Sequence, residues 1–252
     1  MQAMTIKAIA PLIRISIKIS AISLFMAGDS VLTQTLPLPN NLISFNSETG
    51  EQLLLQSKAR EDFWALSTQY VTQNTQAYCG VASIVMVLNA LSIPAPIAPE
   101  YTPYRVFTQA NFFNNAQTRK ILTPEVVAHQ GMTLAQLGQL LASYAVEAKV
   151  YHSTDTNLEQ FRQLVAQNLR QENNFVLVNY LRRKIGQERG GHISPIAAYN
   201  QQTDRFLILD VSRYKYPPVW VKATDLWQAM DTTDRVSGKT RGFVLVSKKV
   251  KS

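Results

Sequence analysis

The sequence predicts an α+β fold in which a helical lobe comes first and packs against an antiparallel β-sheet. The run from Cys79 to Leu91 is almost wholly apolar, which is typical of a fully buried helix. Two Thr-x-x-Gln/Glu signals at residues 133 and 156 are typical of helix starts. From Phe175 onward the chain changes to short β-branched and aromatic runs separated by turn residues. Helices followed by strands in this order favour the α+β class.

The helices can be assigned in chain order. Apolar residues at helical spacing predict one helix over residues 51–71, and the buried helix over 79–91 follows it. The signal at Thr133 predicts a helix to about Tyr144, and the one at Thr156 predicts a helix through the sequence LEQFRQLVAQNL. Between the buried helix and Thr133, four prolines predict a surface loop, at Pro94, Pro96, Pro99 and Pro103.

The strands of the second half are short and bounded by turn residues. Their sequences are FVLVNYL, ISPIAAY, RFLILDV, VWV and GFVLVS. No internal repeat or low-complexity tract interrupts them, so residues 31–252 are predicted to form a single domain.

Residues 1–30 resemble an export signal. A basic stretch ends at Lys18, and the apolar segment Ile19–Ala27 that follows is too short to span a bilayer as a helix. We therefore expect a leader at 1–30 and a periplasmic protein without a stable membrane span, with a cytoplasmic location left open. An interfacial anchor helix, or a true start at Met4 or Met26, is the alternative.

Composition excludes several classes of function. The net charge is +8, but most of the excess lies in the leader and in the C-terminal tail, so no nucleic-acid partner is expected. A single cysteine allows neither an internal disulfide nor a paired-cysteine zinc site. The three histidines have no metal-ligand spacing, so no protein-bound metal is expected. His129 and His152 are interpreted as structural.

The single thiol, Cys79, stands where the buried helix begins. Free N–H groups and the macrodipole at a helix N-terminus stabilise a thiolate, and Gly80 beside it allows a close approach to the backbone. A lone cysteine is more often a small buried hydrophobe, however. Cys79 alone does not establish an enzyme.

Two residues of the predicted sheet complete a catalytic arrangement. His192 follows two glycines at the start of one strand, and Asp210 ends the next apolar strand. Antiparallel pairing of these strands would bring the imidazole and the carboxylate together. A histidine held by a carboxylate can deprotonate a thiol and later protonate a leaving amine. Gln73 could donate to an oxyanion together with the Cys79 N–H, and Gln76 is the rival for that role.

This order of residues resembles the papain-type cysteine hydrolases. Within that clan the chain is similar to the phytochelatin synthases in their short prokaryotic form, from about Pro37 to Lys248. The resemblance is carried by TQNTQAYCGVASIVMVLNAL, GGHISPIAAYN and RFLILDVSRYKYPPVWV. Two departures from papain, Asp210 in place of an asparagine and the lack of a CGSCW motif, disfavour an ordinary papain peptidase.

The resemblance implies a papain-like catalytic domain and a role for each site residue. Cys79 would be the nucleophile, His192 the general base and acid, Asp210 its orienting partner and Gln73 the oxyanion donor. The substrate would be glutathione, attacked at its Cys–Gly bond. Glycine would leave, and the γ-Glu-Cys acyl group would pass from the enzyme to water or to another glutathione. The sequence suggests four substrate-binding residues, Arg182, Asn179, Gly191 and Arg241.

The resemblance also sets expectations for cofactors and partners. We expect no required cofactor, with cadmium or zinc entering only as glutathione thiolate complexes. The chain given lacks the Cys-rich C-terminal extension of the plant enzymes, so we expect mainly hydrolysis. A homodimer is left open. Two other functions are also left open: a C39-like cysteine peptidase, and an exported binding domain with an inert Cys79.

Overall fold

The computed structural model of the protein describes residues 35–188 and 190–249. The expected leader, residues 1–30, lies outside the described residues. Within the described part of the chain, no helix has both the length and the apolar character needed to cross a membrane.

The described residues form helices and strands in a mixed order along the chain. The helices are α1 (Glu48–Gln56), α2 (Glu61–Thr68), α3 (Cys79–Ala90), α4 (Ala116–Ile121), α5 (Pro124–Gln130), α6 (Leu134–Ala142), α7 (Leu158–Asn168) and α8 (Ala223–Met230). The strands are β1 (Ile43–Ser44), β2 (Val146–His152), β3 (Asn174–Leu181), β4 (Gly191–Asn200), β5 (Arg205–Ile208), β6 (Val219–Lys222) and β7 (Gly242–Lys248).

All seven described strands belong to one antiparallel sheet in the order β1-β6-β5-β4-β3-β7-β2. The α+β prediction is therefore confirmed, since helices pack on an antiparallel sheet. The strand β4 lies at the centre of the sheet, between β3 and β5. From Ile196 to Asn200 β4 pairs with β5, whereas its first residues, Gly191 and His192, pair with Leu181 and Tyr180 of β3.

The sheet is covered by helices on both faces. Alternate residues of each strand point to opposite faces, so Leu177 packs with α3 and α6 whereas its neighbour Val178 packs with α7 and α8. The sequence analysis placed one helical lobe against the sheet, and that lobe is present around α3. The second layer was missed in part because α8, a short helix between two strands, was not predicted.

One predicted helix differs from the structure. The helix predicted over 51–71 is broken into α1 and α2, because Arg60 folds back and donates to the last carbonyls of α1, those of Leu54 and Leu55. The carbonyl of Ala59, in the break, then accepts from the N–H of Tyr199 on β4. The prediction of one continuous helix is wrong since a tertiary contact ends it.

The helix starts were closer to the prediction. Thr133 and Gln136 form the reciprocal capping box at the start of α6. At α7 the side chain that accepts from the helix N–H groups is that of Asn157, one residue after the predicted Thr156. His152 ends β2, as the sequence analysis suggested.

Candidate active site

Cys79 is the first residue of α3 and is 8% exposed. The Ser83 hydroxyl, one turn later, lies 2.8 Å from the Cys79 carbonyl oxygen and 3.2 Å from that of Ile193. This contact ties the start of α3 to the start of β4, beside His192. The first N–H groups of a helix have no partner within it, so the thiol sits where negative charge is favoured.

His192 and Asp210 are brought together by the pairing of β4 with β5. His192 is the second residue of β4, and Asp210 lies two residues beyond the end of β5. His192 Nε2 lies 2.9 Å from Asp210 Oδ1 and 2.9 Å from the Ser194 hydroxyl. Because Nε2 faces the carboxylate, Nδ1 is the ring nitrogen left for the thiol.

The charges of this group favour a thiolate–imidazolium pair. Burial on its own would raise the pKa of Cys79, but the hydrogen bond and positive charge of His192 outweigh it and hold that pKa below its usual value. Burial works in the opposite direction on His192, yet Asp210 raises its pKa overall. The carboxyl group of Asp210 keeps a lowered pKa despite full burial, because His192 and Arg182 stabilise its charge. The lowered pKa of Cys79 and the raised pKa of His192 both favour the thiolate form.

Gln73 lies close to this group, but its amide is occupied. Nε2 donates to the Thr75 carbonyl (2.7 Å) and to the Tyr214 hydroxyl (3.1 Å), while Oε1 accepts from the Ser212 hydroxyl (2.7 Å). Gln73 is buried and does not line the cavity beside Cys79, whereas Gln76 does. To donate to an oxyanion, Nε2 would have to give up one of these two hydrogen bonds. The bond to Tyr214 is the candidate, because that side chain is 46% exposed.

A cavity of about 600 Å³ opens beside Cys79 and His192. One side of it carries charged residues from two segments, the turn after β3 and the loop before β7. These are Arg183, Asp234, Arg235 and Arg241. The rest of the lining includes residues in and around α5 and α6, among them Leu122, Val126, His129, Met132 and Gln136.

Arg241 is the charged residue best placed to bind an anion. Its Nη1 is held by the Thr232 and Thr233 carbonyls (3.3 and 2.9 Å) and by the Thr232 hydroxyl (3.1 Å). Its buried Nε has no hydrogen-bond partner among the described residues. Gly191 makes room for it, since a Cβ there would lie 3.3 Å from Arg241 Nη2. Asn179, paired with Gly242, lines the same cavity.

Arg182 lies away from the cavity, unlike its neighbour. It is 3% exposed, and its guanidinium binds Asp210 and Gln187. Arg183 is exposed and lines the cavity. The geometry therefore gives no support to Arg182 as a substrate-binding fork. The local sequence does not show which of the two adjacent arginines is buried and which lines the cavity.

The sequence analysis also missed Asp234, Met132 and Ser212. Asp234 lies in a loop without a motif, whereas Ser212 lies in the stretch RFLILDVSRYKYPPVWV, two residues after Asp210, but was given no role there. Met132 packs directly on Gly80, the residue after Cys79, since a Cβ on Gly80 would lie 2.4 Å from the Met132 sulfur. That close approach explains why a glycine follows Cys79. Among the described residues no cluster of three His, Cys, Asp or Glu side chains offers a metal site.

Comparisons with known proteins agree on one family. The family model for phytochelatin synthase matches residues 33–243. The chain is 34% identical over 226 residues to glutathione gamma-glutamylcysteinyltransferase 3 of Lotus japonicus, covering 88% of this chain and 46% of that protein. It is 35% identical to glutathione gamma-glutamylcysteinyltransferase 1 of Arabidopsis thaliana, with 88% and 45% covered.

A more distant relative is the glutathione gamma-glutamylcysteinyltransferase of Schizosaccharomyces pombe, 28% identical over 83% of this chain and 50% of that protein. The chain spans about half the length of these curated relatives. The match nevertheless covers nearly every described residue, including the whole site around Cys79. The chain belongs to the phytochelatin synthase family.

Proposed function

We propose that the protein is a glutathione γ-glutamylcysteinyltransferase that works through an acyl-enzyme on Cys79. The observation that carries the proposal is the thiol at the head of α3 with His192 beside it, opening on a cavity charged on one side. The names of the relatives support the same substrate. The glutathione donor carries an α-carboxylate and an α-ammonium at its γ-glutamyl end, and both need charged partners.

The charged side of the cavity suits that end of glutathione. Arg241 has a buried Nε without a hydrogen-bond partner among the described residues, and it is the candidate partner of the α-carboxylate. Asp234, on the same side of the cavity, is the candidate for the ammonium group. A peptidase of broad specificity would need an open apolar groove instead. The arrangement therefore favours the transferase over a C39-like peptidase.

The first half of the reaction forms the thioester. The Cys79 thiolate attacks the carbonyl carbon of the Cys–Gly bond, and the N–H of Cys79 would stabilise the oxyanion. His192 donates its Nδ1 proton to the glycine nitrogen as the C–N bond breaks. Glycine leaves with that proton, and a γ-Glu-Cys thioester stays on Cys79.

The second half returns the enzyme to its starting state. His192, now neutral, takes a proton from water or from the amine of a second glutathione, which attacks the thioester. The C–S bond breaks and the thiolate is regenerated beside the imidazolium. Water gives γ-glutamylcysteine, and the amine gives a two-unit phytochelatin. Cadmium or zinc would enter with the substrate, as a glutathione thiolate complex.

The test is to incubate the purified protein with glutathione and to quantify glycine, γ-glutamylcysteine and the two-unit phytochelatin by chromatography. We expect glycine release in step with the sum of the other two products. A Cys79→Ser variant is the control and should release none. Glycine release by that variant at the wild-type rate, or no release by the wild-type protein, would refute the proposal.

A further inference from the structure

The buried pair Arg182–Asp210 is a charge contact in the site that the reaction steps do not use. Arg182 Nη2 donates to Asp210 Oδ1 at 2.8 Å, and Nη1 lies 2.8 Å from Oδ2. The side chains are 4% and 0% exposed. The Nη2 hydrogen bond holds the carboxylate in place and the ion-pair contact balances its charge, although Oδ2 has no partner of hydrogen-bond geometry among the described residues.

Several groups donate hydrogen bonds to the Asp210 carboxylate. Oδ1 faces His192 Nε2 at 2.9 Å and also accepts from the Ser212 backbone N–H at 2.8 Å. Arg182 itself is held by Gln187 and by the ring of Tyr216, whose centroid lies 5.4 Å from the guanidinium carbon. Both partners are therefore fixed from outside the pair.

Charge balance explains why an arginine is needed here. The papain-type order has a neutral asparagine at the third position, whereas this chain has an aspartate. A thiolate, an imidazolium and an aspartate would leave one uncompensated negative charge in a fully buried site, which is costly. Arg182 restores neutrality without touching the thiol.

We propose that Arg182 is a positioning residue. With Arg182 as its partner, Asp210 can orient His192 as a neutral asparagine would. Bound to Asp210, it forms a neutral pair that orients His192 without adding net charge. The inference rests on the proposed function for its catalytic consequence, but the thiol chemistry it predicts can be measured without glutathione.

Other ionisable groups face the same site and stay constant in the test. Tyr180 of β3 packs edge-on against His192, with ring centroids 5.7 Å apart, and the Tyr70 hydroxyl donates to the Asp210 carbonyl. Arg213 lies over the ring of Tyr70, with its guanidinium carbon 4.9 Å from the centroid. Arg241 approaches from the cavity side, beside Gly191.

The experiment compares three variants: Arg182→Gln, Asp210→Asn and the double change. The readout is the rate of Cys79 alkylation by iodoacetamide as a function of pH. Loss of Arg182 alone removes a positive charge, which raises the pKa of the thiol. The rise of the alkylation rate with pH should therefore move to higher pH, by about one unit for a nearby charge. Loss of the Asp210 charge alone leaves Arg182 as an unpaired buried cation, so the rise of the alkylation rate should move to lower pH. The double variant should return close to the wild-type profile.

A second measurement covers folding. Each single change leaves an unpaired buried charge and should lower the melting temperature, and the double change should recover much of that loss. If Arg182→Gln is insoluble, a soluble double variant supports the inference and an insoluble one contradicts it. Shifts of the same sign in both single variants, or a double variant worse than either, would overturn it.

The matched control is a second arginine–aspartate pair, between α7 and the turn that joins β4 to β5. Arg162 Nε and Nη2 donate to the two carboxylate oxygens of Asp204 at 2.8 and 2.9 Å. Arg162→Gln should leave the alkylation profile of Cys79 unchanged. An equal shift in that variant would show that the effect at Arg182 is not local.

Discussion

Replacing Arg241 by Met tests how the cavity recognises the donor. Its guanidinium is held on one side by Thr232 and Thr233, and its buried Nε has no hydrogen-bond partner among the described residues. A hydrogen bond to a charged group contributes about 1.5–3 kcal/mol. Loss of that contribution corresponds to about a 10- to 150-fold fall in kcat/KM for glycine release. Arg241→Lys should recover little of it, since an ammonium cannot make the bidentate contact.

The assay that isolates this contact uses a second substrate, the analogue of glutathione without the α-carboxylate. Wild-type enzyme should cleave the analogue less well than glutathione by about the same factor, and Arg241→Met should not discriminate between the two. Thr232→Val is the control, because it removes a contact to the loop but leaves the guanidinium in place. If Arg241→Met still prefers glutathione as strongly as the wild-type enzyme, Arg241 does not bind the carboxylate.

Three further predictions concern the rest of the site and the leader. His192→Ala should cost almost as much activity as His192→Ala/Asp210→Ala, because the two act as a unit; losses that multiply would contradict this. Gln73→Ala should lower kcat by about 10²–10³-fold, whereas Tyr214→Phe, which frees one Nε2 hydrogen, should not lower it. A large loss in Tyr214→Phe would count against Gln73 as the oxyanion donor. Deleting residues 1–30 should leave glutathione cleavage intact, and an insoluble or inactive product would contradict the leader assignment.

Local patterns predicted the parts of the fold that local forces determine. The capping box at Thr133 is a contact between residues three apart, so it can be read from sequence directly. The apolar run after Cys79 predicted a buried helix because no face of it is polar. The α+β class followed from the change at Phe175, and the structure confirms it.

The parts that were missed depend on contacts between distant segments. At the break between α1 and α2, Ala59 pairs with Tyr199 of β4, and no local signal marks that contact. The inward turn of Arg182 is decided by Asp210, 28 residues away. A pattern of local spacing shows that arginines are present but not which one finds a buried carboxylate.

The chemistry of the site was predictable only as a set of candidates. Order along the chain suggested Cys79, His192 and Asp210, and the structure places His192 Nε2 2.9 Å from Asp210 Oδ1. The roles of these residues stay predictions until they are tested. Asp234 could not have been found, because its loop has no motif and only the folding of β7 beside β3 brings it to the cavity.

The measurement that tests the central claim most directly is the intact mass of the protein after brief mixing with glutathione and acid quenching. We expect the mass to rise by one γ-Glu-Cys acyl group, and we expect the modified peptide to contain Cys79. The adduct should form together with an equal amount of free glycine, and should be absent in Cys79→Ser. An adduct with the mass of whole glutathione would indicate a mixed disulfide instead. That result, or glycine release without any acyl adduct in the wild-type protein under quench conditions that preserve thioesters, would contradict the account.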